Sequence, residues 1–137
     1  MPLEAYYAAL QNAVVLCIDP DEDVLECEKS LLEGFGYTVL TAPSGGEGLE
    51  LASMHSVDVV IVEYVMPKMN GQELALEMRR LRPLAQIILL TGSVNVPKQA
   101  LNMVDALVIK ARLASLLLPT IAQLRGCGSI SPPTYDA

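Results

Sequence analysis

The chain has 137 residues, 52% of them hydrophobic, which is enough for one domain with an aliphatic core. Its net charge of −7 argues against general binding to nucleic acids or anionic membranes, because both require basic surface patches. The N-terminus lacks the basic segment and apolar run of a secretory signal, and no apolar run is long enough to cross a bilayer. The spacing of the three cysteines matches no zinc site or disulfide framework. We therefore predict a cytoplasmic protein without nucleic-acid or membrane partners.

Five short apolar runs are the predicted strands. They are rich in Val, Ile and Leu with few polar interruptions, which is typical of strands buried on both faces of a parallel sheet. In chain order these runs are Val14–Ile18, Tyr37–Thr41, Val57–Val62, Gln86–Leu90 and Ala106–Ile109.

The segments between these runs have helical periodicity. The first predicted helix stops at Gly34, since glycine favours helix ends. A second clear stripe lies in Glu73–Leu81 and ends before Pro83, whereas residues 45–53 and 97–102 have weaker helical patterns. The predicted buried face of the first helix comprises Val24, Cys27, Leu31, Leu32 and Phe35.

The last predicted helix runs from about Ser115 to Leu124, where Pro119 is tolerable only near the first turn. Strand and helix thus alternate five times, and parallel strands need right-handed crossovers. The predicted fold is a doubly wound α/β sandwich of three layers, with a five-stranded parallel sheet between helices. We place this unit at residues 14–125, between an N-terminal extension at 1–13 and a disordered tail at 126–137.

Polar residues follow the predicted strands at the edge where a doubly wound sheet collects its functional groups. Asp19 follows the first strand, with Asp21 as a further acid of the predicted pocket, and Glu63 follows the third strand. Thr91 lies at the end of the fourth strand and Lys110 follows the fifth. Two carboxylates, a hydroxyl and an ammonium group would therefore meet, and a lysine at a buried strand end needs such partners. This convergence predicts a functional site.

Three segments resemble the receiver domain of response regulators, a family of two-component signalling. Residues 58–74, DVVIVEYVMPKMNGQEL, resemble its third strand and the following loop. Residues 88–93, ILLTGS, resemble its fourth strand, and residues 18–39, IDPDEDVLECEKSLLEGFGYTV, resemble its acidic loop, first helix and second strand. The resemblance covers Val14–Leu124 and implies a flavodoxin-like (βα)5 fold.

The resemblance also implies roles for the residues at the strand ends. In that family an acidic pair after the first strand helps to bind Mg²⁺, and Asp19 matches one member of the pair. An Asp after the third strand accepts a phosphoryl group, and Glu63 replaces it here. Thr91 and Lys110 match the residues that contact the phosphoryl oxygens.

Three further departures from the family pattern lie near these positions. Pro20 stands where the second acid of the pair is expected, and Ala111 stands where a proline usually follows the lysine. Leu107 stands where many members have a switching Tyr or Phe.

The departures weaken the expected metal and phosphorylation chemistry. Mg²⁺ prefers several carboxylate oxygens, and only Asp19 and Glu63 remain as its ligands, since Asp21 could substitute only across the stiff Pro20. We therefore expect no cofactor, or at most weakened Mg²⁺ binding. Glu63 extends about 1.5 Å further than Asp, and displacements near 1 Å can cost on the order of 100-fold in rate.

We predict an ion pair between Glu63 and Lys110, with Thr91 donating a hydrogen bond. Two interpretations of this pair stay open. Glu63 either imitates phosphorylation and holds an active-like state, or only neutralises Lys110 in a degenerate pocket. The second is favoured because Glu carries one charge without tetrahedral oxygens, and because Leu107 removes the aromatic switch.

The leading prediction is a receiver domain that binds signalling proteins without being phosphorylated and is not an enzyme. Its partners would be a histidine kinase, a phosphotransfer protein or an output protein, and the face of the fourth helix, fifth strand and fifth helix could also form a homodimer. One alternative is a working receiver phosphorylated on Glu63 or Asp21. Another is a small α/β ligand-binding protein or enzyme, although no glycine-rich phosphate loop follows the first strand. The predicted docking face includes Gln99, Asn102, Asp105 and Arg112.

Overall fold

The computed structural model describes residues 13–93 and 95–126. The strands are β1 (Val14–Ile18), β2 (Thr38–Ala42), β3 (Val59–Val62), β4 (Gln86–Thr91) and β5 (Ala106–Ile109). The helices are α1 (Glu22–Glu33), α2 (Gly45–Met54), α3 (Gly71–Leu81), α4 (Lys98–Leu101) and α5 (Leu113–Leu124), and a 3₁₀ turn, Lys110–Arg112, precedes α5. None of the helices in this part of the chain combines the length and apolar composition of a membrane span. Apart from Ala13 and Gly126, the predicted N-terminal extension and C-terminal tail lie outside the described residues.

The sheet has the doubly wound topology predicted from the sequence. Its strand order is β2-β1-β3-β4-β5, and all four neighbouring pairs are parallel. Helices α1 and α5 cover one face, and α2 and α3 cover the other. The strand order reverses direction between β1 and β3, so a crevice opens at the carboxyl ends of these strands.

Strand β1 shows why the sheet sequences are almost continuously apolar. Val15 and Cys17 face the layer of α1 and α5, whereas Leu16 and Ile18 face the layer of α2 and α3. All four are at most 1% exposed. Burial on both faces removes the polar alternation of a half-exposed strand, and each buried Å² of apolar surface contributes about 25 cal/mol.

Helix α1 buries only part of its predicted face. Its inward residues are Leu25, Glu28 and Leu32, whereas Cys27 is exposed. Phe35 lies beyond the last turn and is 49% exposed. The prediction is confirmed for Leu32 but wrong for Cys27 and Phe35, because hydrophobicity alone assigned Glu28 to the solvent side, although this residue occupies the central inward position.

Helix α5 begins at Leu113, earlier than predicted, so Pro119 lies near its middle rather than near its first turn. That prediction is therefore wrong. Proline inside a helix costs about 3 kcal/mol, but Pro119 is on the exposed side while Leu117 and Ile121 are fully buried. Packing of the apolar face offsets the missing backbone hydrogen bond.

Strand β5 has four residues at one margin of the sheet, and the preceding helix α4 is a single turn of four. Asp105, directly before β5, links this margin to its neighbours. Its Oδ2 accepts hydrogen bonds from the Ile87 N–H group at 2.8 Å and from the Arg79 guanidinium at 3.0 Å. Asp105 is thus chiefly a structural residue of the predicted docking face. All four predicted residues of that face, Gln99, Asn102, Asp105 and Arg112, are exposed.

Candidate functional site

Four sequence-predicted residues meet at the carboxyl edge of the sheet. Asp19 directly follows β1 and Glu63 directly follows β3, and the last residues of these two strands pair in register. Thr91 ends β4, and Lys110 directly follows β5. Asp19, Glu63 and Thr91 are only 2%, 6% and 0% exposed. Buried polar groups of this kind need partners.

The Lys110 ammonium group bridges the two buried carboxylates. Its Nζ atom lies 2.8 Å from Asp19 Oδ2 and 2.6 Å from Glu63 Oε1. The predicted ion pair between Glu63 and Lys110 is therefore confirmed, and Asp19 completes it. We call Asp19, Glu63 and Lys110 the pocket triad.

The second oxygen of each carboxylate is engaged by the backbone. Asp19 Oδ1 accepts the N–H of Asp21 at 2.8 Å, and Glu63 Oε2 accepts the N–H of Val65 at 3.0 Å. Pro20 has no side-chain oxygen, and the described part of the chain contains no group of three or more His, Cys, Asp or Glu residues that could hold a metal ion. Mg²⁺ requires a near-octahedral shell of oxygens. This donor set therefore does not fit the Mg²⁺ site that the resemblance implies.

The pocket triad stabilises the charged forms of Glu63 and Lys110. Burial disfavours ionised Glu63, but Lys110, Thr91 and the Val65 N–H group outweigh burial, so the pKa of Glu63 is lowered from 4.5. Burial likewise disfavours the Lys110 cation, but Asp19 and Glu63 outweigh it and raise the pKa of the lysine. Glu63 thus contributes stability that is present above pH 4.5 and is lost as the pH falls through its folded-state pKa.

Asp21 does not join the pocket, so its predicted place among the pocket acids is wrong. Its Oδ1 accepts hydrogen bonds from the backbone N–H groups of Asp23 at 2.9 Å and Val24 at 3.4 Å, which caps α1. The first N–H groups of a helix need such an acceptor, and the cap is worth about 1 kcal/mol. Only the backbone N–H of Asp21 reaches the pocket, where it binds Asp19.

The start of α3 packs directly against the backbone of Glu63. Gly71, the first residue of α3, donates its N–H to the Tyr64 carbonyl at 2.8 Å. A Cβ at Gly71 would lie 2.7 Å from Tyr64 Cα and 2.8 Å from the Glu63 carbonyl oxygen. Asn70 and Glu73 close the helix start with reciprocal hydrogen bonds between side chain and backbone. The loop after β3 therefore holds Glu63 in place.

Lys68 in this loop is the one non-glycine residue of the described chain with a positive φ, 69°. This conformation destabilises the folded state by about 1 kcal/mol for a residue with a Cβ, and glycine would remove that strain. Glycine would also increase the entropy of the unfolded chain, which offsets part of the gain. We expect Lys68→Gly to raise the free energy of unfolding by about 0.5 kcal/mol in urea denaturation. The same change at Lys29, exposed within α1, should lower it by about 1 kcal/mol. A loss of stability in both variants would contradict the loop argument.

Sequence reasoning missed Glu28, whose carboxyl group is buried within electrostatic range of the pocket triad. The residue is 1% exposed, and Asp19, Lys110 and Glu63 all influence its charge. Its spacing carries the signal that could have revealed it. Glu28 lies three residues after Leu25 and four before Leu32, both of which are buried.

The response regulator receiver domain family matches residues 15–111 of the chain. The transcriptional regulatory protein GlrR of Escherichia coli K12 is 35% identical over 85 residues, which are 62% of this chain and 19% of GlrR. The alkaline phosphatase synthesis transcriptional regulatory protein PhoP of Bacillus subtilis is 30% identical over 81 residues, which are 59% of this chain and 34% of PhoP. The matched part of the chain thus spans about a fifth to a third of these relatives.

Solved receiver structures have the same fold. A CheY-like receiver domain protein of Methanospirillum hungatei is 28% identical with a TM-score of 0.79, covering 88% of this chain and 98% of that protein. The response regulator TrrA of Thermotoga maritima, in complex with Mg²⁺–BeF, is 29% identical with a TM-score of 0.77, covering 82% and 98%. TrrA in complex with the histidine kinase ThkA is similar with a TM-score of 0.73 at 29% identity, covering 82% and 97%. The receiver-domain family matches more than half of this chain, and solved members of the family have the same sheet and helices. This chain therefore belongs to the receiver-domain family of two-component response regulators.

Proposed function

We propose that this receiver domain signals by binding other proteins and is not switched by phosphorylation. The observation that carries the proposal is the position of Lys110 Nζ, 2.6 Å from Glu63 Oε1 and 2.8 Å from Asp19 Oδ2. The resemblance assigns this lysine to a phosphoryl group, yet it already has two protein anions as partners. A phosphoryl group would have to displace both carboxylates from a buried pocket.

Glu63 is also poorly suited to accept a phosphoryl group. One of its oxygens pairs with Lys110, and the other accepts the Val65 N–H. Phosphoryl transfer depends on placement of the attacking oxygen and on metal ions that offset negative charge. The longer side chain and the missing acid at Pro20 weaken both requirements, which supports a chemically silent pocket.

The internal ion pairs support the simpler interpretation of Glu63, in which it neutralises Lys110. A phosphoryl group would bring nearly two negative charges and three acceptor oxygens, whereas Glu63 brings one charge. Leu107, at the usual position of the switching aromatic residue, is 41% exposed on β5 and has no polar group that could change partners. We therefore propose a single functional state rather than a mimic of the activated one.

We propose that the partners are signalling proteins that dock on the exposed surface of α4, β5 and α5. The complex of the similar receiver TrrA with the histidine kinase ThkA supports a kinase as one class of partner. Phosphotransfer proteins, output proteins and a second copy of this chain are the other classes. The net charge of −7 disfavours nucleic-acid and membrane partners. In this proposal the domain acts in the cytoplasm, needs no cofactor and is not an enzyme.

Incubation with acetyl phosphate and Mg²⁺, followed by intact-mass measurement, tests the proposal. We expect no phosphoryl adduct on the wild-type chain. The double variant Pro20→Asp/Glu63→Asp restores both carboxylates that the family uses, so it should gain one adduct and serves as the matched control. Glu63→Asp alone separates the acceptor from the metal ligand. A stoichiometric adduct on the wild-type chain would overturn the proposal and identify a working receiver.

A further inference from the structure

Glu28 is a carboxyl group in the hydrophobic core that neither the fold nor the proposed function uses. It lies in the middle of α1 and is 1% exposed. Leu25 and Leu32 flank it in the apolar layer that α1 and α5 form with the sheet. Its Oε2 atom has no hydrogen-bond partner among the described residues. Such a position ordinarily holds an aliphatic side chain, because an unpartnered buried polar group destabilises a fold.

The titratable groups around Glu28 come from three strands of the sheet. From β1, the Cys17 thiol hydrogen-bonds to it, and Asp19 acts on it from the end of that strand. Glu63 after β3 and Lys110 after β5 also influence its charge. Helix α5 contributes only apolar side chains to the core layer around Glu28. The surroundings therefore contain two anions, one cation and one thiol.

These surroundings favour the neutral acid. Burial raises the pKa of Glu28 to about 8; the Cys17 hydrogen bond and Lys110 oppose this shift, whereas Asp19 and Glu63 add to it. Burial also raises the pKa of the Cys17 thiol well above its ordinary value, so the thiol stays protonated and does not become a second anion. Glu28 consequently loses its proton only in mildly alkaline solution.

We propose that Glu28 is a proton-binding site in the core, and that loss of its proton releases helix α1 from the sheet. A carboxylate with an unpartnered oxygen is strongly disfavoured in an apolar layer, so α1 must move to bring the charge into contact with water. The backbone N–H of Asp21, the cap of α1, binds Asp19 of the pocket triad. Release of α1 therefore changes both the pocket and the surface beside it. This inference holds whether or not the pocket accepts a phosphoryl group.

The direction of the pH dependence follows from the protons bound by each state. The pKa of Glu28 is 4.5 in the unfolded chain and about 8 in the folded chain, so between these values only the folded chain holds the proton. The stabilising effect is full below pH 4.5 and is lost as the pH rises through about 8. Across this window the group alone should raise the unfolding equilibrium constant about tenfold per pH unit.

Urea unfolding of the full chain between about pH 5 and about pH 9 tests the proton site. Glu28→Gln keeps the shape of the side chain and removes its titration, and Glu26→Gln makes the same change at an exposed position of α1. Across this pH range the unfolding constant of each protein changes by some factor. We expect that factor to be at least about 100 times larger for the wild type and for Glu26→Gln than for Glu28→Gln. If the glutamine variant does not fold, Glu28→Leu removes the same titration with an apolar residue. Parallel pH profiles of the wild type and the Glu28 variants would overturn the proposal.

Hydrogen exchange, corrected for its intrinsic pH dependence, tests the release of α1. Amide protection in α1 should fall above about pH 8 in the wild type and persist in Glu28→Gln, because only the wild type gains a buried charge. Protection in α3, on the opposite face of the sheet, is the internal reference. Loss of protection in α1 and α3 to the same extent would rule out a selective release of α1.

Discussion

Replacing Lys110 with methionine is expected to lower the free energy of unfolding by about 3 kcal/mol. The variant keeps the apolar stem but leaves Asp19 and Glu63, which are 2% and 6% exposed, without their cation. Removing one partner of a buried ion pair is costly because the other charge stays buried and uncompensated. The Lys110 side chain is 24% exposed, so solvent screening keeps the loss at the lower end of the usual range.

Removing Lys110 should reverse the direction in which pH changes the contribution of the pocket carboxylates to the free energy of unfolding. In the wild type, Glu63 loses its stabilising effect as the pH falls through its lowered pKa. Without Lys110 the Asp19 and Glu63 carboxylates repel each other, which raises the pKa of Glu63, so protonation relieves the repulsion and the loss of stability relative to the wild type becomes smaller toward about pH 5. Urea denaturation of the variant and of the wild type at about pH 7 and about pH 5 measures both effects as differences between the two proteins, because the titration of Glu28 stabilises both toward pH 5.

Lys29→Met is the matched control for the lysine change, because Lys29 is exposed on α1. Its effect should stay within about 0.5 kcal/mol. If Lys110→Met were no more destabilising than Lys29→Met, the pocket triad could not be what holds the two carboxylates in place.

Replacing Gly71 with alanine is expected to lower the free energy of unfolding by about 3 kcal/mol. The new Cβ would lie 2.7 Å from Tyr64 Cα and 2.8 Å from the Glu63 carbonyl oxygen, and no rotamer change can move these backbone atoms. Helix α3 must shift, which strains the hydrogen bond from the Gly71 N–H to the Tyr64 carbonyl. Thermal unfolding followed by circular dichroism gives the loss directly.

Gly46→Ala tests whether the loss at Gly71 comes from the close approach. Gly46 lies in the first turn of α2, and a Cβ there meets nothing within 4 Å. Alanine should therefore stabilise the helix, by up to about 1 kcal/mol. Effects of similar size and sign at both glycines would contradict the packing argument.

The sheet could be predicted because its three central strands, β1, β3 and β4, are buried on both faces. Val14–Ile18 and Gln86–Thr91 are almost continuously apolar, and this pattern has few alternatives in a chain where strands and helices alternate. The orientation of α1 could not be predicted in the same way. Its inward position is occupied by Glu28, so a method that counts hydrophobic residues rotates the helix toward Cys27.

The pocket triad was predictable in part because topology brings the strand ends together. Asp19, Glu63 and Lys110 each stand at a strand end, and opposite charges at one edge of a sheet pair when they are buried. The role of Asp21 was not predictable, because a carboxylate two residues after Asp19 suits both a pocket and a helix cap. The backbone conformation at Pro20 and Asp21 decides between the pocket and the helix cap. It directs the Asp21 side chain to the N–H groups at the start of α1.

The two edge strands of the sheet, β2 and β5, are where the domain can self-associate at high concentration. Within residues 13–93 and 95–126, β2 and β5 each pair on one side only, so their outer backbone groups can bond to a strand of another chain. These strands have only five and four residues, which gives an intruding strand few hydrogen bonds. Leu107 is 41% exposed on β5, and the charge of Lys110 is directed inward to its two carboxylates. Self-association of a concentrated or partly unfolded sample should therefore begin at β5 rather than at β2.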